Sequence, residues 1–358
     1  LRNFRNITHA TLKTDRQFIV LHGPNGAGKT SILEAVDVLS SLKSFRDPLI
    51  SHVIQNEHTT AFIDAQVLSP LGTQKMLWGY HKDKGRLLQL DGKKIHDLTQ
   101  WFQCLRSILF CPEQIDIIRG APDIRRKFLD RAHFIADPTY LMTARNYIQV
   151  LKQKRELLKK EPLHEAELIP WNIQLKRYGT AVISGRLNIL DELSEPFQQM
   201  HQQLVGDEKV ALAIQGIGAG PLNIAVERFE QEMQKHLTEE VRRKQVLIGP
   251  HRDDLEIMMN GMSARRFASQ GQTRSIIVAL KLAELEAAKL RGERPLFLMD
   301  DLSSELDLDR RKQLVQLLSE REGQVWITTT QPNFLSDLPR GRIARFSVKN
   351  GIVTPEQK

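Results

Sequence analysis

The fold is decided by the stretch Gly23-Pro24-Asn25-Gly26-Ala27-Gly28-Lys29-Thr30, which satisfies the pattern G-x-x-x-x-G-K-[ST]. The apolar run Phe18 to Leu21 before it predicts a buried strand, and the segment from Thr30 to Ser41 predicts a helix. Such a loop turns backbone N–H groups toward an anion at the start of the helix. We predict that this phosphate loop and the next residue, Ser31, bind a nucleotide, with Lys29 at the β and γ phosphates and the Thr30 hydroxyl on Mg²⁺.

An acidic pair follows a second apolar run. Leu296 to Met299 predicts a buried strand that ends at Asp300 and Asp301. A phosphate loop needs a carboxylate at the end of a strand to hold the metal shell, so Asp300 is the predicted metal-side acid. Asp301 is then the predicted general base, which polarises a water for attack on the γ phosphate, and with Lys29 it forms the predicted catalytic pair. The alternative that Asp301 caps the following segment stays open.

Composition limits the class of protein. The chain has 358 residues, of which 41% are hydrophobic and 26% charged, as in a globular protein of about two or three domains. A net charge of +8 favours an anionic partner such as nucleic acid. No apolar run approaches the roughly 18 residues of a membrane span, and no secretory signal stands at the start. Two cysteines, Cys104 and Cys111, have no metal-ligand spacing, so we expect a reduced, cytoplasmic protein without membrane attachment.

The predicted secondary structure changes along the chain. Residues 1–118 and 295–358 read as α/β, residues 119–244 as helices, and residues 245–294 as a strand hairpin followed by a long helix from about Arg274. We predict one α/β ATPase lobe in two parts, with the helical lobe and the hairpin segment inserted between them. In the helical lobe, apolar spacing predicts a packing seam through Leu141, Ala144, Ile148, Leu151, Arg155 and Leu158, and a second helix with Ile183, Leu187, Leu190 and Phe197.

Five further stretches together resemble the ABC-type ATPases, and within them the RecF family. They are Leu1-Arg2-Asn3-Phe4-Arg5-Asn6, Ser44-Phe45-Arg46, Cys111-Pro112-Glu113, Arg125-Arg126-Lys127-Phe128-Leu129-Asp130 and Ile248-Gly249-Pro250-His251-Arg252-Asp253-Asp254-Leu255. This resemblance covers nearly the whole chain. It implies an α/β ABC-type ATPase head with an inserted helical lobe that carries the signature motif.

The resemblance also implies roles for three other stretches. Residues 269–274, Ser-Gln-Gly-Gln-Thr-Arg, are similar to the signature motif, here called the signature segment, so that Ser269, Gly271 and Gln272 contact the nucleotide of a partner subunit. Ser304-Glu305-Leu306-Asp307 resembles the D-loop at the subunit boundary, and Gln114 is the candidate Q-loop ligand of the metal. From the residues alone, a helix N-cap explains Ser269 equally well.

Two departures from the wider ABC pattern indicate slow hydrolysis. Asp301 stands where the resemblance to transporter ATPases implies Glu, and Thr328-Thr329-Thr330 stands where a switch His is implied. These departures disfavour a transporter subunit. A long SMC-like or Rad50-like tether is disfavoured because globular segments fill the interval from Lys29 to Asp300. An SMC-like or Rad50-like ATPase head, or another non-transport ABC ATPase, remains the alternative.

For function, the resemblance implies a recombination mediator that uses ATP and Mg²⁺. It would form an ATP-dependent homodimer, bind DNA at single-strand gaps and junctions, act with RecO and RecR to load RecA, and hydrolyse ATP weakly with stimulation by DNA, in association with the nucleoid. Basic clusters occur at residues 140–161, 242–244 and 265–266, and the sequence does not choose among them. Few aromatic residues interleave these charges, which favours duplex contact over base stacking.

Overall fold

The computed structural model describes residues 1–69, 72–301, 307–331 and 341–356. The chain divides into two compact units. One unit comprises Leu1–Glu113 with Ala288–Lys358, and the other comprises Gln114–Ala287. The finer division into four segments stays a prediction.

Within the described ranges strands predominate in the first unit, and helices predominate in the second. The strands are β1 (Arg2–Phe4), β2 (Ile7–His9), β3 (Phe18–His22), β4 (Thr60–Ser69), β5 (Gly72–His81), β6 (Gly85–Leu90), β7 (Lys93–Lys94), β8 (Ser107–Phe110), β9 (Val210–Gln215), β10 (Asp254–Met259), β11 (Met262–Ser263), β12 (Leu296–Met299), β13 (Val325–Thr329), β14 (Ile343–Lys349) and β15 (Ile352–Pro355). The α-helices are α1 (Lys29–Ser41), α2 (Leu98–Cys104), α3 (Asp116–Arg119), α4 (Pro122–Ala136), α5 (Tyr140–Leu157), α6 (Ile169–Val205), α7 (Leu222–Lys235), α8 (Leu237–Arg243), α9 (Ala264–Phe267), α10 (Gln270–Leu290) and α11 (Leu308–Ser319).

The first unit is built on a six-stranded sheet with the strand order β15-β14-β3-β13-β12-β8. The strands from β14 to β8 run parallel with their neighbours, and β15 pairs with β14 in the antiparallel direction. The run Phe18 to Leu21 in β3 is fully buried, which explains its unbroken apolar sequence. Because parallel strands end at the same edge, the residues that follow β3, β13 and β12 lie side by side.

A second sheet in the first unit is antiparallel, with the order β2-β1-β4-β5-β6-β7. The β-branched and apolar run Thr60 to Leu68 predicts a strand, and the structure confirms it as β4. The pair Asp91-Gly92, within the segment Leu87 to Ile95, predicts a hairpin turn. The structure confirms it, because Asp91 and Gly92 join β6 to β7 with positive φ angles of 48° and 79°. A two-residue hairpin turn of type I′ requires such angles at both positions.

The second unit packs α4, α5, α6 and α7 beside the antiparallel sheet β11-β10-β9. The predicted second helix is confirmed within α6, where its four apolar residues are buried. The predicted seam of α5 is confirmed at Leu151 and Leu158, which are buried, and is wrong at Ile148, which is 58% exposed. Tyr147 and Lys154, which the prediction leaves out, are buried instead. The physical reason is that Tyr147 and Lys154 each have a buried polar partner, which lets polar-headed side chains occupy the interior.

The long helix predicted from about Arg274 begins earlier, at Gln270. Its start therefore lies inside the signature segment. Among the residues that the structure describes, no helix is long and apolar enough to span a membrane.

Candidate functional site

The phosphate loop connects the end of β3 to the start of α1, as the sequence predicts. Gly23 has a φ of 152°, and a Cβ at this position would lie 2.1 Å from the backbone oxygen of Val348 on β14. Only glycine allows the loop to leave the sheet so close to the neighbouring strand. The loop backbone is thereby placed at the carboxyl edge of the parallel sheet.

Lys29 is held inside the loop. Its Nζ donates to the backbone oxygens of Gly23 at 2.8 Å and Pro24 at 2.9 Å, and the residue is only 8% exposed. Burial lowers the pKa of the Lys29 ammonium, while the nearby carboxylates of Asp301 and Asp300 raise it. An ammonium has three donors, so two bonds to the loop leave one donor for an anion.

Asp300 lies at the end of β12, where two hydroxyl groups converge on one carboxylate oxygen. Its Oδ1 accepts from Thr30 Oγ1 at 2.9 Å and from Thr328 Oγ1 at 2.7 Å. Burial raises the pKa of Asp300, and the bonds from Thr328 and Thr30 lower it. The structure thus brings the two predicted metal-side residues, Thr30 and Asp300, into direct contact.

These oxygens suit Mg²⁺. In the described part of the chain, no cluster of three or more His, Cys, Asp or Glu residues would hold a metal without help. Mg²⁺ at nucleotide sites is bound through one or two protein oxygens together with phosphates and water, so a cage of carboxylates is not required. The donor set of Thr30 and Asp300 fits Mg²⁺ bound in this way, with the metal neutralising phosphate charge.

Asp301 adopts a strained backbone conformation next to the metal-side acid. Its φ is 50°, and its backbone N–H donates to Thr328 Oγ1 at 2.8 Å. The same hydroxyl donates to Asp300, so Thr328 fixes both acids at once. Non-glycine residues in this region of φ are concentrated at functional sites. In the sequence, Thr328 is noted only because its stretch lacks a switch His. Only the folded structure shows that it bridges Asp300 and Asp301.

A cavity of about 860 Å³ surrounds the phosphate loop. This volume lies in the usual range for a small-molecule or cofactor site. Its lining includes residues 25–31 of the predicted nucleotide site, Asp300 and Asp301, together with polar side chains that sequence reasoning does not assign. The unassigned lining residues include Arg46, His52, Gln55, Asn56 and Glu57.

A buried carboxylate on α1 ties two of the RecF-like stretches to the loop helix. Glu34 is fully buried and accepts two bonds from Arg5, at 2.6 and 3.0 Å. It also accepts from Ser44 Oγ at 2.5 Å and from Arg46 Nη1 at 3.5 Å. A two-pronged arginine–carboxylate pair fixes orientation as well as charge. These contacts give the first two stretches a structural role that the resemblance alone does not supply.

Asn6 holds the phosphate loop from the β1–β2 turn. Its Oδ1 accepts from Ser31 Oγ at 2.9 Å, and its Nδ2 donates to the backbone oxygen of Gly26 at 3.2 Å. The hydroxyl of Ser31, a predicted nucleotide ligand, is thus bonded to Asn6. Nucleotide contact by Ser31 stays a prediction.

Ser269 lies directly before α10 and is exposed. Its Oγ accepts from the backbone N–H of Gln272 at 3.2 Å, and its own N–H donates to Gln272 Oε1 at 2.9 Å. This reciprocal pair is a capping box, so the N-cap interpretation is confirmed. Gly271 and Gln272 consequently lie in the first turn of the helix, where backbone N–H groups and the helix dipole favour an anion.

Gln114 and the D-loop are the two remaining predicted features of the site. Gln114 lies in the 3₁₀-helix Pro112–Ile115, and its Oε1 is buried without a hydrogen bond from the described residues. Its role as a metal ligand stays a prediction. The D-loop residues Ser304, Glu305 and Leu306 lie outside the described residues, and Asp307 caps α11 by accepting from the N–H of Arg310 at 3.0 Å.

The last two RecF-like stretches bind each other in the second unit. Arg125 donates to both carboxylate oxygens of Asp254, at 2.6 and 2.8 Å. Arg126 donates to the backbone oxygen of Asp253 at 2.7 Å. From the same helix, Asp130 accepts two bonds from Arg186, which in turn donates to the backbone oxygen of Pro250. We infer that both stretches carry these arginine and aspartate residues because the network of hydrogen bonds and ion pairs requires them.

The stretch around His251 gives stability a pH dependence. Nε2 of His251 faces the backbone oxygen of Val246 at 3.4 Å, which can only accept, so Nδ1 accepts from the Tyr147 hydroxyl at 2.7 Å. Burial, with smaller contributions from nearby arginines, lowers the pKa of His251 to about 3.

We expect acid to destabilise the second unit through this histidine. An unfolded histidine titrates near pH 6.5, so its stabilising effect is complete above that pH and falls as the pH drops toward 3. Between pH 7 and pH 5 the free energy of unfolding should fall by about 2 kcal/mol from His251. Urea unfolding at both pH values should show a smaller fall in His251→Gln. An equal fall in both proteins would contradict this assignment.

Comparisons with known proteins agree with these features. A model of the RecF/RecN/SMC N terminal domain matches residues 1–354. The DNA replication and repair protein RecF of Geobacter sulfurreducens is 36% identical over 358 residues, covering 98% of this chain and 97% of that protein. The protein of the same name from Streptococcus pyogenes serotype M4 is 34% identical over 357 residues, covering 99% and 96%.

Solved structures show the same relationship. A structure of the recombination mediator protein RecF with ATP, in the RecFOR pathway, has a TM-score of 0.89 at 29% identity, covering 99% of this chain and 96% of that chain. An SMC head bound to the C-winged helix domain of ScpA has a TM-score of 0.60 at 14% identity and shares the fold alone. The chain therefore belongs to the RecF family, within the wider RecF/RecN/SMC group.

Proposed function

We propose that this protein is a recombination mediator that uses ATP as a switch for dimerisation on DNA. The observation that carries the proposal is the combination of an ordered phosphate loop with an exposed helix N-terminus at Ser269. In ABC-type ATPases the phosphate loop of one subunit faces the signature motif of another. We infer that ATP joins two copies of this chain in the same way, because the γ phosphate attracts the helix dipole behind Ser269.

Hydrolysis would reset this switch. Lys29 would bind the β and γ phosphates, and Thr30 and Asp300 would hold Mg²⁺, which neutralises charge on the phosphates. Asp301 would orient the attacking water. Loss of the γ phosphate removes the group that both subunits share, so the dimer would open. We infer that turnover is slow, because Asp301 and Thr328-Thr329-Thr330 stand where other ABC ATPases carry Glu and a switch His. From membership of the RecF family we infer that DNA stimulates it.

Ion pairing in the structure supports two of the three basic clusters as DNA contacts. Arg242 and Arg243 pair with Glu239, and Lys244 pairs with Glu161, so that cluster is largely neutralised. In contrast, two sets of exposed basic residues have no ion pair with any residue that the structure describes. They are the α9 pair Arg265 and Arg266 and the α5 set Arg145, Lys152 and Arg155.

The α5 residues recur at helical spacing and therefore share one face. We infer that this face meets the phosphate backbone of duplex DNA beside a gap, with little base specificity. RecO, RecR and RecA would then act at the same DNA, and the protein would be found with the nucleoid in the cytoplasm.

Sedimentation velocity tests the proposal. The protein with Mg²⁺ should sediment as a dimer when ATP and a gapped duplex are present and should shift toward monomer without ATP. ADP in place of ATP should not support the dimer. A sedimentation coefficient that does not respond to ATP would refute the switch.

Asp300→Asn should lower Mg²⁺-dependent ATP turnover by about 10–100-fold while the fold is retained. The amide oxygen still accepts from Thr30 and Thr328, but the negative charge that attracts the metal shell is lost. ATPase rates measured across a Mg²⁺ titration check this expectation. Asp301→Asn is the matched variant, because it should lower the maximal rate without changing the Mg²⁺ requirement. An unchanged ATPase rate in Asp300→Asn would show that Asp300 has no role in the metal site.

A further inference from the structure

We propose that Glu208 is a positioning residue that holds the signature segment in the geometry needed to meet the nucleotide of a partner subunit. This inference rests on the proposed function, since it assigns a support to the same dimer contact. Glu208 lies in the loop between α6 and β9, far from the signature segment in sequence. No sequence pattern connects the two.

Hydrogen bonds link Glu208 to Ser269 through one side chain. Gln272 Nε2 donates to Glu208 Oε1 at 2.7 Å, while Gln272 Oε1 accepts from the N–H of Ser269 at 2.9 Å. The backbone N–H of Ser269 fixes which end of the amide is oxygen, so Nε2 must be the end that faces Glu208. Both ends of the Gln272 side chain are therefore engaged inside the unit. We infer that Gln272 supports the proposed contact with a partner's nucleotide by holding Ser269 in place.

The loop that carries Glu208 is itself held in place by hydrogen bonds. The backbone of Lys209, the residue after Glu208, makes two hydrogen bonds with Asn260 in the β10–β11 turn. Asn260 N–H donates to the Lys209 backbone oxygen at 2.7 Å, and Lys209 N–H donates to the side-chain oxygen Asn260 Oδ1 at 2.9 Å. The second oxygen of Glu208 lies 3.9 Å from Nε2 of His201, which is fully buried on α6. Glu208 therefore connects a fixed loop to the first turn of α10.

Helix capping alone does not require this carboxylate. Ser269 and Gln272 already complete the capping box, which satisfies the N–H groups at the helix start. The bond to Glu208 adds a fixed direction for the Gln272 side chain and hence for the N–H of Ser269. Because Ser269 is exposed and Glu208 is about a quarter exposed, the bond lies near the surface, where rigidity serves recognition.

The test compares ATP-dependent dimerisation in four proteins with intact chains: wild type, Glu208→Ala, the exchange Glu208→Gln with Gln272→Glu, and Glu195→Ala. Glu195→Ala is the matched control, because Glu195 accepts from Gln199 Nε2 at 2.9 Å elsewhere in the unit. Sedimentation gives the dimer dissociation constant with ATP and Mg²⁺. Binding of a fluorescent ATP analogue to dilute monomer gives the affinity of the phosphate loop, and thermal unfolding reports folding.

Glu208→Ala should weaken the dimer about tenfold or more, as expected for loss of a charge-assisted hydrogen bond, with unchanged monomer affinity for nucleotide. The exchange variant restores a donor and an acceptor in reversed order and should recover the dimer. Recovery would separate positioning from a general loss of stability. A dimer constant equal to wild type in Glu208→Ala, or no recovery in the exchange variant, would overturn the inference.

Ser269→Arg separates this inference from the proposed function, because a bulky side chain there blocks any contact with a partner. If Ser269→Arg loses the dimer while Glu208→Ala keeps it, the proposed function stands and the role of Glu208 is rejected. If Ser269→Arg dimerises normally with ATP, the signature contact itself is wrong, and the inference falls with it.

Discussion

Replacing Lys29 with alanine should abolish ATP-dependent dimerisation. The loop carbonyls of Gly23 and Pro24 hold the Lys29 ammonium in place. In the proposed dimer this cation binds the phosphates that the two subunits share. Its loss removes a charge-assisted contact to buried phosphate, so nucleotide affinity should fall by roughly 100-fold. Sedimentation with ATP and Mg²⁺ should show monomer at concentrations at which wild type is dimeric.

Lys43→Ala is the control for this variant. Lys43 is an exposed lysine just beyond the same helix, and its removal makes the same change in net charge. It should dimerise as wild type does. A dimer of normal strength in Lys29→Ala would mean that ATP is not the connection between subunits.

The second large effect concerns stability, and it arises at a buried ion pair that is far from the phosphate loop in sequence. Lys154 on α5 and Glu240 on α8 are both 1% exposed, and their charged atoms lie 2.5 Å apart. Lys154→Met leaves the Glu240 carboxylate buried without its counter-charge, which should lower the free energy of unfolding by about 3–5 kcal/mol. Equilibrium unfolding in urea measures this change directly.

The double variant Lys154→Met with Glu240→Leu supplies a sharper criterion. It removes both charges and should regain much of the stability, because apolar replacements of similar size tolerate burial well. Lys159→Met breaks an exposed pair with Glu156 on the same stretch and should leave the urea midpoint nearly unchanged. If the buried and the exposed variants shift the midpoint equally, the burial argument fails.

The sequence predicts those parts of the fold that depend on local pattern. The strand and helix around the phosphate loop, the hairpin at Asp91 and Gly92, and the apolar face of α6 all follow from spacing or turn chemistry. The start of α10 is missed because Ser269 and Gln272 begin the helix through a capping box that precedes the apolar pattern. The seam of α5 is missed in part, because polar pairing allows Tyr147 and Lys154 to be buried while Ile148 is exposed.

The site divides in a similar way. Lys29, Thr30 and Asp300 are found from sequence because motif chemistry dictates their spacing from strand ends. The role of Thr328 cannot be found from the sequence, because it depends on β13 lying beside β12 in the sheet. This pairing allows the Thr328 hydroxyl to bond with both Asp300 and Asp301. Glu208 escapes sequence reasoning for the same reason, because only the folded chain brings it to Gln272.

The strand order has a consequence for how the protein is made. β3, which presents the phosphate loop, is bonded on both sides to β13 and β14, and these strands leave the ribosome some three hundred residues later. A nascent chain that ends before Val325 contains the complete loop motif, but β3 still lacks both of its neighbours. We therefore expect nucleotide to stabilise the polypeptide only late in its translation. Until β13 and β14 have emerged, the apolar strand β3 lacks the partners that bury it in the folded sheet.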